Sequence, residues 1–358
     1  MRKKELTRRR ALAGLGSLAS TAFAGPDEPQ PADGAALRVA PREELVNVLE
    51  FESVAAQMLA PAVFSEISGS DRAYFDRITL RPRMMVPTTK LDLTTELFGE
   101  KLFAPIIAGP MARLRTYHPD SEVAVARGAT AAKALMIASS QSSDPIERIA
   151  AEAKAGLWYQ VFPEGETSAI QAQIKQAVRA GAKAICLTVG APYRNGKRNA
   201  QGTRAAAPVL NWSVVDQIRQ GLSVPFILKG IMTAEEADAA VKRGVQGIVV
   251  SNYGGILAPG LAPPLEMLSG VVDAVGRRVP VLIDGNFRRG SDMFKALALG
   301  ASAVLVGRPV VWGLAAYGAE GVQSVLEMLQ TELARDMAQC GKPNLKTLDA
   351  TVLKVHEA

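Results

Sequence analysis

Eight short apolar runs recur between residues 105 and 309, and a longer segment of mixed polarity separates each run from the next. The runs consist mainly of Ile, Val, Leu and Ala without polar alternation, a pattern that is typical of strands buried on both faces. They are PIIAGPM (105–111), ALMIASS (134–140), LWYQVF (157–162), AICLTVG (184–190), PFILKGI (225–231), GIVVSN (247–252), PVLIDGN (280–286) and AVLVGRP (303–309). Their number and spacing constrain the fold more than any other feature of the chain.

The segments between the runs carry helix signals. In TAEEADAAVKRG, Thr233 and Glu236 have the spacing of a capping box, and Gly244 stands where the helix would end. Eight strand–helix units in succession predict an α/β fold, the (β/α)₈ TIM barrel. An open, doubly wound sheet is the alternative, but no Gly-x-Gly-x-x-Gly turn follows the first run.

The sequence on either side of the repeats divides the chain into five parts. We predict a signal peptide over 1–24, a Pro-, Gly- and Ala-rich linker over 25–42, a helical and extended N-terminal segment over 43–102, the barrel over 103–347, and a C-terminal tail over 348–358.

The first 24 residues have the order of an export signal. A basic stretch, MRKKELTRRR, precedes a modestly apolar stretch and the small-x-small sequence Ala22-Phe23-Ala24. Thr7-Arg8-Arg9 makes it similar to a twin-arginine signal, so we expect export of the folded protein, with the periplasm as its compartment. A disordered basic N-terminus is the alternative. The apolar stretch falls short of the roughly 20 residues that a membrane span takes, so no stable membrane anchor is expected.

Basic charge is concentrated in the same segment. The chain has a formal net charge of +6, and residues 1–24 hold six Lys or Arg and one Glu, a net +5. The remainder therefore carries +6 − 5 = +1, which is too little for the basic surface that nucleic-acid binding requires. We expect no nucleic-acid partner.

Active sites of TIM barrels lie at the carboxyl ends of the strands. There the sequence places single polar residues, each of which could instead cap the helix that follows. Lys229 is the most informative, because a lysine within FILKGI would be costly to bury without an anionic or accepting partner. Arg288 and Arg308 follow the last two strands beside glycines, where barrels commonly hold a phosphate, although surface salt bridges are the alternative. No metal site is expected.

Several motifs give the chain a family resemblance. They are LRPR (80–83), LTVG (187–190), ILKGIMTAEEA (227–237), IVVSN (248–252) and IDGNFRRGSDMFKALALGASAVLVGRPVVWGLA (283–315). With these residues the chain, from Leu45 to Thr347, resembles the FMN-dependent 2-hydroxy-acid dehydrogenase/oxidase family, which includes glycolate oxidase and lactate oxidase. The resemblance implies an FMN cofactor, a small-molecule substrate and a homo-oligomer. No motif specifies the electron acceptor.

The resemblance also assigns cofactor contacts residue by residue. Flavin contacts are implied at Ala112, Ser140, Gln160, Thr188, Lys229 and Ser251, and phosphate contacts at Asp284, Gly285, Arg288, Gly307 and Arg308. Lys229 would lie near the N1–C2 carbonyl edge of the flavin, where it would stabilise negative charge on the reduced ring.

The implied substrate side departs from the family pattern Ser-Asn-His-Gly-x-Arg. Tyr253 stands at the position of the histidine that takes the substrate proton, and Ile256 at that of the arginine that binds the substrate carboxylate. The other implied substrate-side positions are Gly190 for the aspartate that supports the histidine, Phe162 and Glu66 for two tyrosines, and Lys197 or Arg198 for a second arginine.

These replacements predict altered substrate chemistry. A positioned general base contributes about 10²–10⁴ to the rate, and tyrosine, with a pKa near 10, is a poor base at neutral pH. The apolar Ile256 indicates a ligand that is apolar or uncharged. Tyr253, with Lys229, is the candidate catalytic pair, the tyrosine serving as a proton donor. Alternatively, Tyr253 covers a cofactor that does not turn over, in a flavin-binding protein without catalysis.

Overall fold

The N-terminal segment forms short helices and strands before the barrel begins. In this computed structural model, residues 39–69, 72–189, 210–253 and 262–356 are described. The segment contains helices α1 (Val48–Met58), α2 (Pro61–Phe64) and α3 (Ala73–Asp76), and strands β1 (Ile78–Leu80), β2 (Thr95–Leu97) and β3 (Glu100–Leu102). α1 begins where the Asn47 side chain accepts a hydrogen bond from Leu49 N–H, a standard N-cap contact.

Eight parallel strands then close into a barrel, which confirms the predicted TIM-barrel fold. The strands are β4 (Ile106–Ala108), β5 (Met136–Ser139), β6 (Leu157–Val161), β7 (Ile185–Thr188), β8 (Phe226–Ile231), β9 (Gly247–Val250), β10 (Val281–Ile283) and β11 (Ala303–Val306). The helices that follow them in turn are α4 (Ser121–Ala131), α5 (Ile146–Glu152), α6 (Thr167–Ala180), α7 (Trp212–Arg219), α8 (Ala234–Lys242), α9 (Pro264–Val275), α10 (Gly290–Ala298) and α11 (Arg308–Gln339). β11 pairs with β4, which completes the ring.

The barrel strands have two apolar faces because both faces are packed. One set of side chains contacts the surrounding helices, and the other fills the barrel interior around Trp158, which is fully buried. The β2–β3 hairpin packs Leu97 and Leu102 into that interior cluster. Trp158 Nε1 donates to Glu100 Oε2 of the same hairpin over 2.8 Å. The interior is therefore a packed core.

Both ends of the described chain contact the barrel. Residues 40–358 form one compact unit, so the linker predicted over 25–42 reaches this unit at Ala40. The Tyr317 hydroxyl donates to the Ala40 carbonyl, and a short 3₁₀ helix covers Arg42–Glu44. The predicted C-terminal tail contains strand β12 (Leu353–Val355), which pairs antiparallel with β1. The tail is thus an integral part of the sheet structure.

The last helix, α11, is bent at one position. Tyr317 and Gly318 leave helical geometry, and Gly318 adopts a φ of 60° beside the His118 ring. A glycine meets this positive φ without the strain that a side chain would add. Among the described residues, no helix is both long enough and apolar enough to cross a membrane.

Candidate active site

A cavity of about 230 Å³ lies at the carboxyl ends of the barrel strands. Most of the residues predicted from the sequence line it together: Ala112, Gln160, Phe162, Thr188, Lys229, Tyr253, Asp284, Gly285, Arg288, Gly307 and Arg308. Ser140 and Ser251 do not line it. Gly190, Lys197, Arg198 and Ile256 fall outside the described residues, so their predicted roles remain predictions.

Three buried polar side chains form a hydrogen-bonded row across neighbouring strands. Ser139 Oγ donates to Gln160 Oε1 over 2.7 Å, and Gln160 Nε2 donates to Thr188 Oγ1 over 2.7 Å. Each has a backbone position at the end of a different strand, so the barrel register itself aligns them. Ser139, and not the predicted Ser140, faces the cavity. Successive residues of a strand point to opposite faces, and Ser140 contributes a backbone N–H that donates to the Gln160 carbonyl.

Lys229 is buried, with 4% of its surface exposed, and it has the anionic partner that the sequence analysis requires. Its Nζ lies 2.7 Å from Asp284 Oδ2 and donates to Ser251 Oγ over 2.8 Å. Asp284 therefore provides the partner of the lysine, and its predicted contact with the phosphate end stays a prediction. Ser251 thus contacts the lysine, although Ser251 itself does not line the cavity. The second Asp284 oxygen, Oδ1, is buried without a hydrogen-bond partner among the described residues.

Tyr253 covers this pair from the outer side. Its backbone is left-handed, with φ 56°, and its N–H donates to Ser251 Oγ over 3.1 Å. The ring centroid lies 5.6 Å from Lys229 Nζ, a cation–π distance, and 5.9 Å from the Phe162 centroid in an edge-on arrangement. The tyrosine and phenylalanine form an aromatic wall above the lysine.

Arg288 is a buried cation that forms no ion pair with any residue in the described ranges. It is 2% exposed, its guanidinium carbon lies 4.6 Å from the Trp312 ring centroid, and it donates to the carbonyls of Phe287 and Gly69. Its Nε has no partner among the described residues. Burial, and secondarily the nearby Arg308, lower the pKa of Arg288 to about 9. Glu52 and Asp292 partly offset this lowering, but neither forms an ion pair with the Arg288 guanidinium.

Arg308 lies beside it under similar constraints. It donates to the Gly69 carbonyl over 2.7 Å and to Asn286 Oδ1, and burial lowers its pKa. Gly307, at the start of α11, leaves open space near its backbone, since an added Cβ would lie 4.0 Å from the nearest atom, in Met111. Two guanidinium groups and a helix N-terminus around open space form a binding site for a phosphate.

These residues fit flavin mononucleotide, the cofactor implied by the sequence resemblance. The unpartnered Nε of Arg288 and the paired arginines suit its phosphate, and the row of hydroxyl and amide groups suits the polar edge of its ring. The ammonium group of Lys229 is a cation at the same end of the cavity as this row of hydrogen-bonded side chains. Among the described residues, no cluster of His, Cys, Asp or Glu has a metal-binding arrangement.

Three of the lining residues that the strand-end pattern missed are polar or charged and lie on loops. Arg113 and Tyr117 follow β4, and Gln141 follows β5, all on loops where no periodicity marks the orientation of a side chain. The Tyr117 hydroxyl donates to Glu66 Oε2 over 3.2 Å. Glu66 also lines the cavity, although it belongs to the N-terminal segment.

Comparisons with known proteins agree with this geometry. The family model for FMN-dependent dehydrogenase matches residues 66–207 and 194–355. Glycolate oxidase of Spinacia oleracea is 35% identical over 349 residues, covering 85% of this chain and 94% of that protein. L-lactate oxidase of Nostoc sp. is 35% identical over 356 residues, covering 86% and 98%.

A solved structure of mandelate oxidase, with 3,3-difluoro-2-hydroxy-3-phenylpropionic acid, superposes with a TM-score of 0.81 at 34% identity. The match covers 87% of this chain and all of the other. Fold, cavity and sequence identity therefore point to one group of proteins. The chain belongs to the FMN-dependent dehydrogenase family, in the group of 2-hydroxy-acid oxidases, and its cofactor is FMN.

Proposed function

We propose that the protein is an FMN-dependent oxidoreductase that oxidises a CH–OH group with altered substrate recognition, and that Tyr253 contacts the reacting group. The observation that carries the proposal is a contrast within the cavity. Residues implied for FMN line it, whereas residues at the implied substrate positions differ from the family pattern. Lys229, Asp284 and the two arginines are in place, whereas Tyr253 and Phe162 form the wall above them.

Bound FMN supplies a two-electron acceptor for the carbinol carbon. Oxidation of CH–OH to C=O releases two electrons and two protons, so one proton must leave the substrate hydroxyl for a protein group or water. With an ordinary pKa near 10, a tyrosine is protonated at neutral pH and acts as a hydrogen-bond donor. Tyr253 would therefore orient the substrate oxygen, and proton removal would be slower than with a histidine.

Three residues keep the positive charge of Lys229 in place. Asp284 and Ser251 hold its Nζ at 2.7 and 2.8 Å, and the Tyr253 ring covers it. The aromatic wall also limits the access of water to the charge, which strengthens its effect on any negative charge that develops nearby.

The test is anaerobic bleaching of the FMN absorbance by a panel of 2-hydroxy acids and uncharged alcohols. We expect the native protein to be bleached by at least one panel member outside lactate and glycolate. The double variant Tyr253→His with Ile256→Arg should gain lactate or glycolate oxidation. Tyr253→Phe is the matched control, since it keeps the ring and removes only the hydroxyl.

One result would favour the alternative, a flavin-binding protein without turnover. The family's base, its supporting aspartate and its arginine are all replaced, by Tyr253, Gly190 and Ile256. If no panel member bleaches the flavin, and photoreduced protein is reoxidised by no acceptor, the oxidoreductase proposal fails.

We also propose export by the twin-arginine route, on the basis of the N-terminal sequence alone. This route carries folded proteins, which suits a protein that binds its cofactor before transport.

A further inference from the structure

Arg113 is a cation of the cavity that the cofactor site does not use. Its side chain makes no hydrogen bond or ion pair with any part of the chain that the structure describes. Within the described ranges, the other cations that line the cavity are Lys229, Arg288 and Arg308, and each contacts protein oxygens. A guanidinium group beside a cavity, with its five donors free, is suited to a carboxylate.

The backbone fixes Arg113 in an unfavourable conformation. Its φ of 54° and ψ of 41° are left-handed, a conformation that is unfavourable for a non-glycine residue. The Arg113 N–H donates to the Gln141 carbonyl over 3.1 Å, and the next N–H, of Leu114, donates to buried Glu122 over 3.0 Å. Glycine would fit here without strain, so the side chain has a reason to be present beyond the turn.

Nearby arginines with structural roles differ from Arg113. Arg115, two residues later, donates to Asp144 over 2.7 Å and does not line the cavity. The carboxylate of Glu66 also lines the cavity, and it accepts a hydrogen bond from the Tyr117 hydroxyl. The same loop therefore carries the Arg113 guanidinium, which contacts no polar group of the described residues, and the Tyr117 hydroxyl, which is hydrogen-bonded to Glu66.

We propose that Arg113 binds the carboxylate of the substrate, from the loop after β4. This inference rests on the proposed function and narrows its substrate class to 2-hydroxy carboxylates. Ile256 alone predicts an uncharged ligand, because it removes the arginine of the loop after β9. Arg113 supplies a cation from the loop after β4 instead. A substrate whose carboxylate binds there would be oriented differently from one held from the loop after β9.

The test uses oxalate, a dicarboxylate that cannot be oxidised at a CH–OH group. Its binding to the FMN-loaded protein is followed by the change in flavin absorbance, without turnover. Charged hydrogen bonds contribute about 1.5–3 kcal/mol, so Arg113→Met should weaken oxalate binding by about 10- to 150-fold. Arg113→Lys should retain part of the affinity, and Arg115→Met, the matched control, should bind oxalate as the native protein does.

A second variant tests whether a loss of oxalate binding results from a loss of folded protein. Arg113→Gly removes the side chain and relieves the positive φ, so its thermal midpoint should equal or exceed that of the native protein. Three results would overturn the inference: native protein that does not bind oxalate, Arg113→Gly with native affinity, or an equal loss in Arg115→Met.

Different results would refute the proposed oxidation and the proposed carboxylate site. Arg113-dependent oxalate binding in a protein that oxidises no panel member supports the carboxylate site and refutes turnover. Oxidation of uncharged alcohols, with oxalate affinity independent of Arg113, supports turnover and refutes the carboxylate site.

Discussion

Replacement of Arg288 by methionine should leave the FMN-free protein at least as stable as the native one. Burial lowers the pKa of Arg288 from its ordinary value to about 9, which corresponds to a cost of about 5 kcal/mol for holding its charge in the fold. Against this stand two hydrogen bonds to carbonyls, about 1 kcal/mol each, and the contact with Trp312, about 1–2 kcal/mol. Methionine keeps the apolar packing and removes the buried charge.

The affinity for FMN, in contrast to the stability, should fall in Arg288→Met. Two charge-assisted hydrogen bonds to phosphate contribute about 3–6 kcal/mol together, so we expect FMN affinity to fall by at least 100-fold in Arg288→Met. Riboflavin, which lacks the phosphate, should bind the native and variant proteins alike. The loss is therefore confined to the phosphate end of the cavity.

The assays are thermal unfolding without FMN and fluorescence titration with FMN and riboflavin. Arg289→Met is the matched control, because Arg289 pairs with buried Glu332 at 2.8 Å and does not line the cavity. That variant should lose stability and keep its FMN affinity. A fall of more than about 2 kcal/mol in the FMN-free stability of Arg288→Met, or an unchanged FMN affinity, would refute the reasoning.

The same residue makes a pH prediction. Because the folded-state pKa of Arg288 lies below the unfolded value, the unfolded chain binds more protons between about pH 9 and 12.5. The contribution of Arg288 to stability therefore rises with pH through this window. The stability advantage of Arg288→Met over the native protein should shrink over the accessible part of that range, as urea titrations at pH 8 and pH 10 would measure.

Three other changes test separate features. Lys229→Met leaves the Asp284 carboxylate without its cation and should cost about 3 kcal/mol in urea unfolding, and adding Asp284→Asn should restore part of this. Gly285→Ala places a side chain at φ 108° and 3.0 Å from a proline ring, so a loss of about 1–3 kcal/mol is expected, whereas Gly307→Ala should change stability little. Replacing Arg8 and Arg9 of the predicted export signal with lysine should retain the protein in the cytoplasm on cell fractionation, and unchanged export would contradict the assignment.

The barrel could be predicted because its strands are apolar on both faces and its helices carry explicit caps. The helix predicted from Thr233 begins there, with the threonine side chain accepting from Glu236 N–H. Strand ends were less well defined: the run 105–111 contains a strand of only Ile106–Ala108. The remaining residues of such runs turn outward to line the cavity.

Site residues on strands could be predicted better than those on loops. Where both faces of a strand are buried, composition does not reveal which of two adjacent serines faces inward, and Ser139 takes the place predicted for Ser140. The pairing of Asp284 with Lys229 depends on the closure of β8, β9 and β10 into the ring. Arg113 depends on a left-handed turn that no sequence pattern marked.

The pairing of β12 with β1 links the order of synthesis to completion of the cavity. Ile78 aligns with Val355, so β1, in the N-terminal segment, can pair only after residues 353–355 have been synthesised. The same segment supplies the Gly69 carbonyl that both phosphate-end arginines contact. A chain truncated before residue 353 would therefore leave β1 without this partner, in the same segment that supplies the carbonyl.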